Sequence, residues 1–548
     1  MAKLTFEKYR LNEKNILPKL LQGTSFDVVQ GKRLDISPDV SSCFPHLLDY
    51  YVQKIAPLDG KKTVAQPLRV GVVLSGGQAP GGHNVIAGLF DALFDHHRES
   101  VLIGFLGGLK GVLTDSSRQI LQADIDAVRN CGGFQLLGSG RTKIDSEKEI
   151  QKAIETIVSH KLDGLVIVGG DDSNTAAVHL SEALAAHGER TAVIGVPKTI
   201  DGDLRSEEIP ISFGFDTACK VYSQIIGNTA KDMISSGKYY HFIRLMGRQA
   251  SHITLECALQ TKPNLALISE EISDKERTLQ SVVTEIADLV EERYAQNLCF
   301  GLILVPEGLV DHMVDIKRLI LELNELLAPN HPLAASIQET TSPSSRLDLV
   351  VKNISDDARK ALLLFPRHIA EELVYERDPH GNIQLSRIET ERLLAQLTSL
   401  EIQARSRKRG KTIPFATQTN FLGYEGRSAY PSYFDCHYGY ALGKLSALLV
   451  EKGLTGHMAA LQNLGENVEH WVPVAVPLVS LLHFERRLGE EKAVIRKSPV
   501  DLHGPLFRLF AENRDKWRHS FDYAYPGPIQ FWGPDDVVQG CCSSIAEM

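Results

Sequence analysis

Short apolar runs alternate with longer stretches of helical spacing over most of the chain. Leu68-Arg-Val-Gly-Val-Val-Leu74 opens the series, and runs at 101–106, 163–169 and 191–197 likewise read as buried strands. Between them, 82–97, 146–160 and 173–187 carry the length and composition of helices. A second series follows, with helices predicted at 216–234, 250–260, 276–295 and about 310–327, and strands at 240–246, 264–269 and 299–305. Residues 330–410 break the rhythm: Ser342-Pro-Ser-Ser reads as a loop, while 356–376 and 389–408 have helical apolar spacing. Phe415 to Leu422 restores a strand, and 434–452 is a helix rich in small residues. Residues 1–66 precede the alternation, with helical stretches around 6–21 and 45–55, and a Pro- and aromatic-rich tail begins near 520.

This alternation predicts an α/β fold with parallel, doubly wound sheets. The boundaries it suggests are an N-terminal extension at 1–66, a first α/β domain at 67–235, and a second at 236–329 and 411–465. A mostly helical insertion fills 330–410 and a C-terminal segment 466–548. At 548 residues the chain has room for two or three well-filled cores. A net charge of −9 and short basic patches only, such as Arg405-Ser406-Arg407-Lys408-Arg409, argue against a nucleic-acid surface. That patch reads as a solvated helix end. The eight cysteines show neither CxxC spacing nor a regular interval, which argues against zinc and a disulfide framework; Cys541-Cys542 reads as inert tail. No run reaches the roughly 20 apolar residues of a membrane span. Lys3 to Lys14 mix charges without an apolar leader core, so a cytoplasmic protein is expected.

The chemistry gathers at predicted strand ends, where the loops of open parallel sheets line ligand crevices. Gly169-Gly170-Asp171-Asp172-Ser173-Asn174 and Pro197-Lys198-Thr199-Ile200-Asp201-Gly202-Asp203 each follow an apolar run. Four carboxylates and a lysine suit magnesium, phosphate and proton transfer. Asp171, just past a strand, is placed to hold Mg²⁺, which takes one or two carboxylates plus phosphates and waters. An extended backbone would turn Thr199, Asp201 and Asp203 to one side, so that one carboxylate can act as general base. A solvated Asp-Gly turn is the plainer reading of the second cluster alone; two such clusters on successive strand ends argue against it.

Upstream, Ser75-Gly76-Gly77-Gln78-Ala79-Pro80-Gly81-Gly82-His83-Asn84 joins a strand to a helix. Its glycines permit close backbone approach, and the N–H groups of the next helix would suit a phosphate. A tight turn with no ligand is the alternative. The loop is neither GxGxxG nor a Walker sequence, which argues against a dehydrogenase and a P-loop fold. Leu137-Gly138-Ser139-Gly140-Arg141-Thr142-Lys143 adds two cations suited to phosphate oxygens. Arg244-Leu245-Met246-Gly247-Arg248, Val305-Pro306-Glu307-Gly308 and Gly423-Tyr424-Glu425-Gly426-Arg427-Ser428 supply further arginines and a carboxylate, enough to clamp a sugar phosphate.

Together, in this order over roughly 68–450, these motifs closely resemble the 6-phosphofructokinase family, and specifically its long pyrophosphate-dependent branch. The resemblance implies two Rossmann-like three-layer αβα domains, the first for the phosphoryl donor and Mg²⁺, the second for fructose 6-phosphate. It implies that Gly77 and Arg141 meet the donor and that Asp171 binds magnesium. Asp201 would deprotonate the C1 hydroxyl of fructose 6-phosphate, with Thr199, Ile200 and Asp203 beside it. Met246, Gly247, Arg248 and Glu307 would hold the sugar phosphate, joined by the segment Tyr424, Glu425, Gly426 and Arg427. Lys238 and Tyr239 resemble a pair that reaches into the neighbouring subunit of dimeric relatives, so a homodimer is implied. ATP-using relatives carry glycines where this chain has Asp172 and Lys198. Asp172 would repel an ATP α-phosphate, and Lys198 would neutralise charge on the transferring group and leaving phosphate. An ATP-dependent kinase of the same fold is the nearest alternative, and a non-catalytic regulatory subunit a more distant one.

Overall fold

The structure is a computed structural model that describes residues 5–23, 26–57, 65–328, 331–375, 388–487 and 490–527. Cys541-Cys542 and the end of the aromatic tail lie outside the described residues. In chain order the strands are β1 (Phe26–Arg33), β2 (Tyr51–Pro57), β3 (Arg69–Leu74), β4 (Val101–Phe105), β5 (Ser117–Gln119), β6 (Gly164–Gly169) and β7 (Ala192–Pro197). They continue with β8 (Tyr240–Leu245), β9 (Leu265–Ala266), β10 (Gly301–Pro306), β11 (Thr417–Leu422), β12 (His457–Gln462), β13 (Val472–Pro477), β14 (Leu482–Arg487) and β15 (Glu490–Ile495). The chain forms two compact units, one of 1–221 with 424–498 and the other of 222–423 with 499–527.

The first unit is built on a nine-stranded sheet of order β1-β2-β13-β12-β7-β6-β3-β4-β5. The run from β12 to β4 is parallel, and β6 and β7 are buried at every position, as strands covered on both faces must be. Antiparallel strands close both edges: β5 on β4, and β13, β2 and β1 on the far side of β12. The expected helix at 45–55 is therefore overturned. From Tyr51 onward the chain pairs with β1 and β13 as β2, burying Val52 and Ile55, and β1 and β2 bring part of the 1–66 extension into the sheet.

The helices Gly82–His96 and Tyr433–Glu451 pack closely because glycines face each other's backbone. A Cβ on Gly88 would overlap the Tyr440 carbonyl, and one on Gly443 would overlap that of Val85. This contact, with β12 pairing to β7, draws 424–465 into the first unit; of the 411–465 expected in the second, only 411–423 stays there.

The second unit holds the parallel sheet β11-β8-β10-β9. The predicted strand at 264–269 shortens to β9, because the helix Ser269–Asp274 begins at once. Ser342-Pro-Ser-Ser is a helix start and not a loop: Ser342 Oγ accepts from the Ser345 N–H and Pro343 occupies the first turn of Pro343–Lys352. Pro366 divides the long helix expected at 356–376 into Asp356–Leu364 and Arg367–Tyr375. These helices and Thr390–Arg409 share one apolar core with Leu279–Ala295 and Val314–Leu326, so the insertion is built into the unit. Arg244 of β8 fastens it. Its buried guanidinium lies 2.9 Å from Glu391, donates to the Ile388 carbonyl at 2.9 Å and stacks over Phe421.

Candidate active site

In the first unit, the loops after β3, β6 and β7 converge because those strands are parallel neighbours in register. Ser75 and Ser173 join the first two loops through a 2.8 Å hydroxyl pair, and the Lys198 N–H donates to the Gly169 carbonyl at 3.0 Å. Gly76 has φ +81°, a conformation that glycine adopts without strain, and turns the loop beneath Lys198. Lys198 is buried, and its Nζ donates to the Gly77 carbonyl at 2.8 Å. Burial pulls its ammonium from 10.5 down to about 8; Asp201, Asp171 and Asp203 oppose that shift and Arg427 adds to it. Arg427 lies against the same loop: its Nε donates to the Gln78 carbonyl at 3.3 Å, and a Cβ on Gly77 would overlap its guanidinium. Tyr424 and Glu425 beside it are exposed and Gly426 is buried.

The structure places Arg141 on an exposed loop whose Gly140 bridges to Ser75, next to the glycine loop. The following Lys143 pairs with Asp172 at 3.1 Å, both side chains about half exposed. Asp171 is half-buried, and its carboxylate lies 3.1 Å from Lys497 Nζ. Burial raises the Asp203 carboxyl above its ordinary 3.8; Lys497 opposes this and Asp171 adds to it.

Two expectations change. The Thr199–Asp203 stretch is bent and not extended: the Asp201 N–H donates to Thr199 Oγ1 at 3.1 Å and Gly202 takes φ +74°. Asp203 and Ile200 therefore turn inward while Thr199 and Asp201 stay half-buried. The first turn of Gly82–His96 is also buried, with Phe134 packed over Gly82, so its N–H groups do not face solvent.

In the second unit, β8 and β10 end side by side, and the Glu307 N–H donates to the Leu245 carbonyl at 2.9 Å. Gly308 sits so close under Arg248 that any Cβ would overlap the Arg248 carbonyl, which brings Met246, Gly247, Arg248 and Glu307 together. Arg248 is exposed and Glu307 half-buried. Arg244, one of the arginines expected to clamp phosphate, is committed to Glu391. Lys238 and Tyr239 are exposed at the opposite end of β8, roughly 20 Å from Arg248 along the strand. Within one chain they do not join the Met246–Arg248 group.

Sequence reasoning missed Lys497, Asp311 and the Gly107-Gly108 turn. Asp311 is raised by burial and feels Arg248 and Glu307, four residues after Glu307. Gly107-Gly108 follows β4 and packs on Gly140, a glycine pair that its position past a strand could have flagged. Nothing local marks Lys497.

Among the described residues, no group of three or more His, Cys, Asp or Glu is placed to hold an ion. Asp171 with Asp203 near it fits an ion that brings phosphate oxygens and water as its other ligands.

The sequence profile described as Phosphofructokinase matches residues 69–449. The chain belongs to the phosphofructokinase family. Within it, the chain is 48% identical to the pyrophosphate–fructose 6-phosphate 1-phosphotransferase of Treponema pallidum, over 87% of this chain and 83% of that protein. It is 43% and 42% identical to proteins of the same name from Porphyromonas gingivalis and Entamoeba histolytica, covering 97–98% of each chain. The pyrophosphate-dependent phosphofructokinase structure from Marinobacter aquaeolei shares the fold, with a TM-score of 0.52 at 15% identity over 83% of this chain and 93% of that one.

Proposed function

We propose that this phosphofructokinase transfers a phosphoryl group from pyrophosphate to the C1 hydroxyl of fructose 6-phosphate, giving fructose 1,6-bisphosphate and phosphate. The observation that carries this reading is Lys198, buried with its ammonium on the glycine loop and within the field of Asp171, Asp201 and Asp203. A cation there suits a short polyanion that ends at the loop. The relatives that cover this chain almost end to end bear the name of that reaction.

As the C1 oxygen bonds to phosphorus, its proton passes to the Asp201 carboxylate. The bond from phosphorus to the bridging oxygen breaks, and phosphate leaves with the electron pair. Lys198 and Arg141 balance the charge that builds on the transferring and leaving groups, the main demand of this reaction class. Asp171 is the residue to hold magnesium, which when bound neutralises charge on the donor oxygens. Met246, Gly247, Arg248 and Glu307 hold the sugar phosphate and its hydroxyls. Lys238 and Tyr239, at the wrong end of β8 to serve their own chain's Arg248, serve a second copy, so the active form is a homodimer. No helix among the described residues is long and apolar enough to cross a membrane, and the proposed setting is cytoplasmic glycolysis.

The reaction exchanges the phosphoanhydride bond of pyrophosphate for the phosphoester of fructose 1,6-bisphosphate, bonds of comparable transfer potential, so it runs backward too. Fructose 1,6-bisphosphate with phosphate and Mg²⁺ should release fructose 6-phosphate and pyrophosphate, read by ³¹P NMR. Formation of ATP from ADP in place of phosphate would overturn the assignment of the donor.

A further inference from the structure

One cation in the donor cluster comes from far along the chain. Lys497 follows the hairpin β14–β15, and its Nζ lies 3.1 Å from Asp171 Oδ2. Backbone bonds on both sides fix its place. The Ile495 N–H donates to Thr175 Oγ1 at 3.0 Å, the Arg496 N–H to the Leu481 carbonyl at 2.9 Å, and the Ser498 N–H to the Asp203 carbonyl at 2.7 Å. The segment thus bonds to the helix that begins at Asp171 and to the loop that ends at Asp203. Lys497 is the charge that most stabilises the Asp203 carboxylate, ahead of Lys198. Its side chain keeps 31% exposure and is not enclosed in the core.

Asp171, Asp172, Asp201 and Asp203 would repel a polyanion. Lys143 faces Asp172, and Lys198, seated on the Gly77 carbonyl, acts on Asp171, Asp201 and Asp203; Lys497 adds a second cation against Asp171 and Asp203 from far along the chain.

We propose that Lys497 is a positioning residue of the phosphoryl-donor site, whose ammonium counters Asp171 and Asp203 and so admits the pyrophosphate anion. The inference rests on the reading that pyrophosphate is the donor. A strut that only held the hairpin would affect both substrates and stability alike; a charge that admits the donor would affect pyrophosphate alone.

The test is calorimetric titration of the full-length protein with pyrophosphate, with and without Mg²⁺, alongside steady-state kinetics. Lys497→Met should bind pyrophosphate about tenfold more weakly, the scale of one lost charged contact. Its KM for pyrophosphate should rise in step, while kcat, KM for fructose 6-phosphate and the unfolding midpoint hold. Lys497→Arg should restore affinity to within about threefold, since it keeps the charge. Thr175→Val, which loosens the hairpin but leaves the ammonium, should bind pyrophosphate as the wild type does. Unchanged pyrophosphate affinity in Lys497→Met overturns the inference, as does an equal loss for both substrates with a lowered midpoint. A wild-type protein that binds no pyrophosphate overturns the donor reading itself, which sets that failure apart.

Discussion

Asp172 is the second residue of the helix Asp171–Ala186, with its carboxylate 3.1 Å from Lys143. Two like charges near 4 Å at an effective dielectric of 20 repel by about 4 kcal/mol, and Lys143 offsets part of that. Asp172→Gly should therefore lower KM for ATP by about tenfold, less than the bare charge would give. Steady-state kinetics with both donors would show it, and unchanged ATP exclusion would assign donor choice to another residue. Lys198 gives a pH signature. Its ammonium, the working form, is lost as pH rises through about 8, so kcat/KM for pyrophosphate should fall on that side. Lys198→Arg stays charged throughout and should lose that alkaline limb, whatever its absolute rate; a limb that persists would place the titrating group elsewhere. Asp171, Asp201 and Lys198 were legible in the sequence because each lies within a few residues of a strand end. Lys497 was not, since a hairpin about 300 residues later delivers it. Arg244 misled for the opposite reason: beside Met246 and Arg248 in sequence, its side chain is buried, where it meets Glu391, the Ile388 carbonyl and the Phe421 ring.

The elements most easily read were those buried on both faces. β3, β6, β7 and β10 are short apolar runs with a glycine or charged turn after them, and their predicted limits hold within about two residues. Half-buried elements were harder. β2 carries the burial pattern of an edge-side strand, and Leu47-Leu48 just before it lent the stretch a helical look. The Thr199–Asp203 loop looks extended in sequence, although Asp201-Gly202 also carries a turn signal, and Gly202 does take φ +74°. Its bend depends on the Thr199 hydroxyl capturing the Asp201 N–H. At Ser342-Pro343 the same residues that mark a loop also mark a helix start, and the apolar positions at Leu347 and Val350 decide for the helix.

At the scale of the whole chain, the alternation of strands and helices fixed the class but not which segments return to which sheet. The first sheet takes its nine strands from both ends of the chain, and the glycine-lined contact of Gly82–His96 with Tyr433–Glu451 is part of what brings the C-terminal portion back. The insertion, expected to be mostly helical, shares the apolar core of the second unit. As a whole the chain moves phosphate from pyrophosphate to a sugar. The direct test is a donor swap with purified protein, fructose 6-phosphate and Mg²⁺, read as initial rates of fructose 1,6-bisphosphate formation. Pyrophosphate should support turnover with kcat/KM about tenfold or more above that with ATP, the scale left by one partly compensated charge near the α-phosphate. Turnover with ATP and none with pyrophosphate would contradict the account.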